Sequence, residues 1–299
     1  MATAARESRE AGVSVGAGGW ALRAFYVLFW GWLFARWVND WLLPEGVAVP
    51  PGAPFIAPST VQPYSESLAF AVRHLPALAT GAWVTIVLTI AGIVLGFFIA
   101  VPLSVARVYG NYSRWLALGY TELIRGTPLL AQLFVLYYGL GLSAWIRELP
   151  LVGVGPIPGQ AFWVAIIGFT INSAAYQGEY IRSALLSVES GQLTAARSIG
   201  LTQIQGIRYV VLPQGLRYAI PAWSNELVYL IKYSSLAAFI TVPELFEVGE
   251  RIATANFQYT AIFTLVGIIY LSIIITASDL MEWVEDLVYI PGLGQESNR

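Results

Sequence analysis

The sequence predicts an all-α membrane protein that crosses the bilayer several times. Three observations carry that reading. Of 299 residues, 57% are hydrophobic and only 11% are charged, and the mean hydropathy is +0.65. A soluble domain carries roughly twice that charged fraction. The apolar residues gather into about six runs, most of them near the roughly 20 residues that a spanning helix needs. Eleven tryptophans and sixteen tyrosines suit aromatic belts at two membrane interfaces. In hydrocarbon every backbone polar group must be satisfied inside the chain, so runs of this length are helices.

The same composition removes several function classes. There are no cysteines, which excludes disulfides, thiol catalysis and Cys-ligated metal. His74 is the single histidine, so a His-ligated metal cluster or a His-based triad is not expected. No GxxxxGK[ST] phosphate loop occurs, so the chain itself is not expected to bind and hydrolyse ATP. A net charge of -2 gives no global attraction to nucleic acid.

In chain order, residues 1–23 form an N-terminal segment and residues 24–43 the first span. Arg36, Asn39 and Asp40 lie near its far end, where they can snorkel or pair. No small-residue cleavage site follows, so the span is expected to be retained. Residues 44–63 hold Pro44, Pro50, Pro51, Pro54, Pro58 and Pro63, a composition that predicts an extended, semi-rigid segment. A short interfacial helix is expected over 65–79, and 24–80 are read together as one N-terminal addition. The second span covers 82–105, with Gly92 and Gly96 at a spacing that favours close helix packing. The third covers 127–142 and is expected to be lengthened by the amphipathic stretch 114–125, where Glu122 and Arg125 suit an interfacial ion pair. The fourth, fifth and sixth spans cover 161–182, 218–241 and 260–279. The core is thus 81–280, and 281–299 read as a tail.

Loop charges predict the orientation. With the N-terminus inside, Arg6, Arg9, Arg23, Arg107, Arg114, Arg182, Arg197, Arg208, Arg217 and Arg299 are cytoplasmic. Only Arg73, Arg147 and Arg251 are then outside. Both termini and the polar stretch 183–217 are therefore expected in the cytoplasm.

That stretch is the most informative part of the chain. Gln192–Ile199 has no proline or glycine and predicts a short helix. Gly200 stands where a helix end needs positive φ. Thr202 and Gln205 have capping-box spacing, so a second helix starts there, and Pro213 is expected to end it. Ala195 and Ala196 would leave a small-residue surface open to a partner. An ordinary amphipathic connector on the membrane surface satisfies the same periodicity.

Polar side chains also interrupt the spans. The fourth contains Asn172, Ser173, Tyr176, Gln177 and Glu179, and the fifth contains Asn225, Glu226, Lys232, Ser234 and Ser235. Such groups at membrane depth face a cavity or a partner. Glu179 and Lys232 could pair or could line a route for a zwitterion, and helix packing accounts for the whole set equally well.

The polar stretch resembles the signature loop of permease subunits from binding-protein-dependent ABC importers. The family pattern is EAA, three residues, Gly, nine residues, then I-x-L-P. Ala195, Ala196, Gly200, Val210, Leu212 and Pro213 fall on it in register. Thr194 replaces the family's Glu. TELIRGTPLLAQLFVLYYGL at 121–140, the run from Tyr176 to Gln192, LPQGLR at 212–217 and LIKYSSL at 230–236 resemble the polar amino-acid branch. Tyr233 stands where that branch has Asp.

The resemblance implies a type I importer transmembrane domain of about six spans, a five-span core plus an added N-terminal one. It implies that Gln192, Thr194, Ala195, Ala196, Gly200, Leu212 and Pro213 form a coupling contact with a separate ATP-binding subunit. That subunit would carry ATP and Mg, and this chain no cofactor. It also implies an extracytoplasmic amino-acid-binding protein, a second permease subunit and an amino-acid substrate passing the polar span residues. A self-pair is preferred over a heterodimer, because one chain holds both the loop and the polar set. The rival readings are an ion-gradient transporter with Glu179 as proton carrier and a membrane scaffold or sensor without transport.

Overall fold

The computed structural model describes residues 17–43, 49–154 and 157–288, and all regular structure among them is helical. The chain divides into two compact units, Met1–Thr80 and Gly81–Arg299.

In the first unit, α1 covers Ala17–Trp41 and so begins inside the N-terminal segment expected to precede the first span. The charge at its far end is satisfied within the chain. Arg36 is 1% exposed and pairs with Asp40 one turn on. Its guanidinium also donates to the Ala53 carbonyl and lies 5.0 Å from the Phe55 ring centroid. Asn39 Nδ2 donates to the Val49 carbonyl at 2.9 Å, and Asp40 Oδ1 accepts from the Gly52 N–H at 3.4 Å. Burial of an arginine is tolerable here because its planar fork is fully engaged.

The proline-rich segment is therefore tied to the helix end rather than simply extended. The Ala53 N–H bonds to the Pro50 carbonyl at 2.9 Å, and Gly52 has φ +78, the geometry of a type II turn with Pro51 at its second position. Pro58–Val61 forms a short helix, α2. Proline's fixed φ suits both the turn and a first helical position. Pro44 lies outside the described residues.

Helix α3 runs unbroken from Glu66 to Tyr109. The expected interfacial helix and second span are one element. Ala77, Ala79 and Ala82 surround Gly81, and a lone glycine costs a helix only about 1 kcal/mol. In the second unit, α4 covers Tyr112–Arg125 and buries Ala117 and Thr121. It does not lengthen the third span. Gly126 closes it, and Pro128 precedes the next helix, α5 (Leu129–Phe134), which runs on as a π-turn over Val135–Gly139. A proline disfavours helical backbone in the residue before it, which separates the two helices at Thr127. Gln132 Nε2 bridges the break by donating to the Ile124 carbonyl at 2.7 Å. A short helix, α6, follows at Leu142–Arg147.

Helix α7, Gln160–Leu186, is the centre of the second unit and is buried over most of its length. Val164, Ala165 and Phe169 join Leu88, Leu133 and Leu230 in one apolar cluster, and Ile181 and Leu185 join Ala100, Val211 and Ala219 in another. The Gly92/Gly96 spacing is used for packing against α7. A Cβ on Gly96 would lie 2.9 Å from Gln177 Nε2 and 3.1 Å from the Ala174 nitrogen. Gly96→Leu is therefore expected to destabilise the purified chain by about 1–3 kcal/mol through overpacking. An unchanged thermal midpoint would show that α3 and α7 can separate freely.

Helix α8 covers Gly191–Ser198 and α9 covers Gln203–Gly206. From α9 the chain continues without a break through a π-turn at Ile207–Val211 into α10, Leu212–Tyr233, and a 3₁₀ turn over Ser234–Ile240. Pro213 does not end the helix as expected. It sits in the first turn of α10, and the wider π-turn before it makes room for a ring that would clash with a normal helical carbonyl. The last two helices are α11 (Leu245–Asn256) and α12 (Tyr259–Val288), so residues expected at the start of a tail are helical. Glu244 caps α11 and is fully buried. It accepts from the Phe246 and Glu247 N–H groups at 2.9 and 2.8 Å and from the Tyr270 hydroxyl at 2.8 Å. By length and composition, α3 and α12 can each cross a bilayer.

Candidate functional site

Two regions gather the residues of interest, and one continuous helix joins them. The first is the turn between α8 and α9. The Leu201 N–H bonds to the Ala196 carbonyl at 3.2 Å, and the Gly200 N–H bonds to the Arg197 carbonyl at 3.0 Å. Gly200 has φ +96. This is a Schellman motif, and glycine is the residue that adopts it without strain. Thr202 then forms the capping box foreseen from spacing: Gln205 N–H donates to Thr202 Oγ1 at 3.3 Å, and Thr202 N–H donates to Gln205 Oε1 at 2.9 Å.

The two short helices pack through a small contact. A Cβ on Gly206 would lie 2.7 Å from Leu193 Cδ1 and 3.5 Å from the Ala196 Cβ. Ala196 is only 4% exposed, so it closes the hairpin and is not part of an open surface as expected. Thr194, Ala195 and Gly200 are exposed, and Gln192 is half-buried. An open groove of about 480 Å³ is lined by Thr194, Arg197, Ser198, Gly200, Thr202 and Gln203. Ile199 and Ile204, each next in the chain to residues of the groove, are 81% and 77% exposed. Sequence reading missed these two. The signal was a pair of isoleucines on either side of a glycine turn in an otherwise polar loop. Leu212 and Pro213 lie in the first turn of α10, away from the turn itself.

The second region is the polar set in α7 and α10. It does not converge on one site. Asn172 Nδ2 donates to Gln132 Oε1 at 3.1 Å. Ser173 Oγ donates to the buried Glu226 Oε1 at 3.2 Å and accepts from Gln177 Nε2 at 2.8 Å. Trp223 Nε1 donates to Gln177 Oε1 at 2.6 Å. Ser234 is buried and bonds to the Ile231 carbonyl at 2.7 Å, and Ser235 bonds to the Lys232 carbonyl at 2.9 Å.

Glu179 does not meet Lys232. Its carboxylate takes Arg107 Nη1 at 2.9 Å, Arg182 Nε at 2.9 Å and Arg125 Nη1 at 3.7 Å. Arg125 thus turns to Glu179 and not to Glu122, and its guanidinium also lies 5.5 Å from the Tyr176 ring centroid. Arginine outcompetes lysine here because three forks from three helices reach one carboxylate.

What remains open is a face of α10. Asn225, Tyr229, Lys232 and Tyr233 are exposed and share one face, with Asn225 four residues before Tyr229 and Lys232 and Tyr233 three and four after it. The Tyr229 and Tyr233 rings stack at 6.1 Å, and Lys232 Nζ lies 5.8 Å from the Tyr229 centroid. This face can offer an amide, two phenols and an ammonium to a polar solute. Tyr229 was not anticipated, although it lies one turn from Asn225.

The chain belongs to the family described as binding-protein-dependent transport system inner membrane component, whose model matches residues 92–288. It is a membrane protein and a permease subunit of an ABC transporter. It is 36% identical over 217 residues to the nopaline transport system permease protein NocM of Agrobacterium fabrum, covering 71% of this chain and 89% of that protein. It is 38% identical over 211 residues to the probable amino-acid ABC transporter permease protein YckA of Bacillus subtilis, covering 70% and 88%. A crystal structure of an amino acid ABC transporter with histidines aligns with a TM-score of 0.63 at 29% identity, covering 74% of this chain and 98% of that one. The MetNI methionine transporter shares the fold, with a TM-score of 0.57 at 20% identity over 76% and 100% of the two chains.

Proposed function

We propose that the chain forms the substrate path of an ATP-driven importer of polar amino acids and couples that path to a separate ATPase subunit. The observation that carries this reading is the unbroken helix from Gln203 to Tyr233, with the α8–α9 turn at one end and the exposed polar face of α10 near the other. Gln192, Thr194, Ala195 and Gly200 contribute to the ATPase contact together with Ile199 and Ile204, and Ala196, Leu212 and Pro213 shape the loop from within. Asn225, Tyr229, Lys232 and Tyr233 line the path. Asn172, Ser173, Tyr176, Glu179, Ser234 and Ser235 support it from behind.

ATP and Mg are held by the partner subunit, and an extracytoplasmic binding protein delivers the solute. The loop and both termini are cytoplasmic, by the arginine bias. A second copy of this chain faces α10, since one chain carries both loop and polar face. Relatives named for amino-acid and nopaline transport support the substrate class. The family match begins at residue 92, which supports reading α1 and the proline-rich segment as an addition to a common core. ATP binding draws the two loops together, and the bundles rock between inward- and outward-open states.

The test is reconstitution into proteoliposomes with the cognate ATPase subunit and binding protein. Polar amino acids are expected to stimulate ATP hydrolysis several-fold, and apolar ones are not. Uptake by this chain alone, collapsed by an uncoupler and indifferent to ATP, would replace the reading with an ion-gradient transporter. The engagement of Glu179 by three guanidinium groups already argues against it as a free proton carrier.

A further inference from the structure

A cavity of about 330 Å³ is lined by none of the residues of the proposed path. Its walls include Val94, Phe97, Phe98, Ile181, Trp223 and Val284, drawn from α3, α7, α10 and α12. The lining is apolar with one exception, Arg217. Three features define what fits it. Phe98 is 69% exposed and Val94 42%, so the cavity opens to the outside of the chain at apolar side chains. Arg217 lies five residues into α10 and Ile181 five before the end of α7, which places the site at the loop end of the bundle. Arg217 is exposed, and among the described residues no carboxylate forms an ion pair with it. Glu285, next to Val284, instead accepts from Ser224 Oγ at 2.6 Å.

An apolar slot in a membrane protein, open at its side and with a single guanidinium at the loop end of the bundle, is complementary to an amphiphile with an anionic head. We propose that the slot holds one acyl chain of a phospholipid whose phosphate sits on Arg217. Basic residues at the ends of spans bind lipid head groups in this manner, and arginine matches phosphate with two donors. The aromatic wall is stiff. Trp223 is held by its bond to Gln177 and by Phe97, whose ring centroid is 6.2 Å away at 66°. A bound chain would therefore press on the same Gln177–Trp223 pair that connects α7 to α10, so occupancy would bear on how easily those helices shift.

The assembled transporter, with its ATPase subunit, should be moved into nanodiscs of phosphatidylglycerol or of phosphatidylethanolamine and examined by native mass spectrometry after detergent release. One retained phospholipid per permease chain is expected. Retention from both lipids marks the phosphate as the shared determinant, and retention from phosphatidylglycerol alone marks net charge. Arg217→Gln is expected to lower occupancy about fivefold, the weight of one basic contact to lipid. Arg217→Lys is expected to restore most of it, and Val284→Trp to fill the slot and abolish it, with thermal midpoints confirming that each variant is folded. Equal occupancy in all four proteins, or no retained lipid in the wild type, overturns the proposal. So does an efficient disulfide between two copies carrying Phe98→Cys, which would make this face a subunit contact.

Discussion

Glu179→Ala is expected to lower the thermal midpoint of the purified chain by on the order of 10 °C. The carboxylate is 17% exposed and joins arginines from three helices, with Arg107 on α3, Arg125 at the end of α4 and Arg182 on α7 itself. Arg107 Nη1 also bonds to Thr121 Oγ1 at 2.6 Å, which draws α4 into the same knot. Removing the single anion leaves three guanidinium groups facing one another in a half-buried setting. Breaking such a pair costs about 3–5 kcal/mol, and each kcal/mol is worth roughly 2–4 °C in a chain of this size. Glu179→Asp keeps the charge and should lose much less. A midpoint within about 2 °C of wild type for the alanine variant would show that solvent, not Glu179, neutralises the cluster.

The second large effect is at the glycine turn. Gly200→Trp is expected to leave membrane insertion and the helical content intact while lowering uptake at least tenfold. At φ +96 any side chain is strained, and a non-glycine residue there costs about 1–2 kcal/mol. No heavy atom lies within 4 Å of the Cβ position, so an indole would project into the groove rather than into the protein core. Gly200→Ala separates the causes, since it carries the strain without the bulk and should retain most of the uptake. ATP hydrolysis that persists while uptake fails would be the mark of lost coupling. Wild-type uptake by the tryptophan variant would remove the turn from the coupling contact.

What could be read in advance followed the range of the interactions. The Gly200 turn, the Thr202–Gln205 box and the end of α8 are decided within a few residues, and all three are where the pattern places them. The Arg36–Asp40 pair is one helical turn apart and was legible for the same reason. Glu179 was not. Its partner Arg107 is 72 residues away, and only the packing of α3 on α7 brings them together. Lys232 seemed an equally good partner because opposite charge alone does not give direction. Ala195 and Ala196 show the same limit at closer range. Adjacent alanines look alike in a string, yet one is exposed and the other faces Gly206. Pro213 was misread because a break was the simple solution, whereas a π-turn upstream let the helix continue. The resemblance located the loop, but its fit to this chain's own folding required the geometry.

The sealing of the α8–α9 turn bears on what it offers to a partner. The Schellman bonds and the capping box use the main-chain donors of Gly200, Leu201, Thr202 and Gln205 inside the turn. A docking partner therefore meets side chains there and little free backbone. Thr194, Ala195 and Gly200 of the signature stand outward, and so do Arg197, Ile199 and Ile204, which the signature leaves unspecified. If the turn is the ATPase contact proposed above, its recognition rests on side chains and not on the main chain.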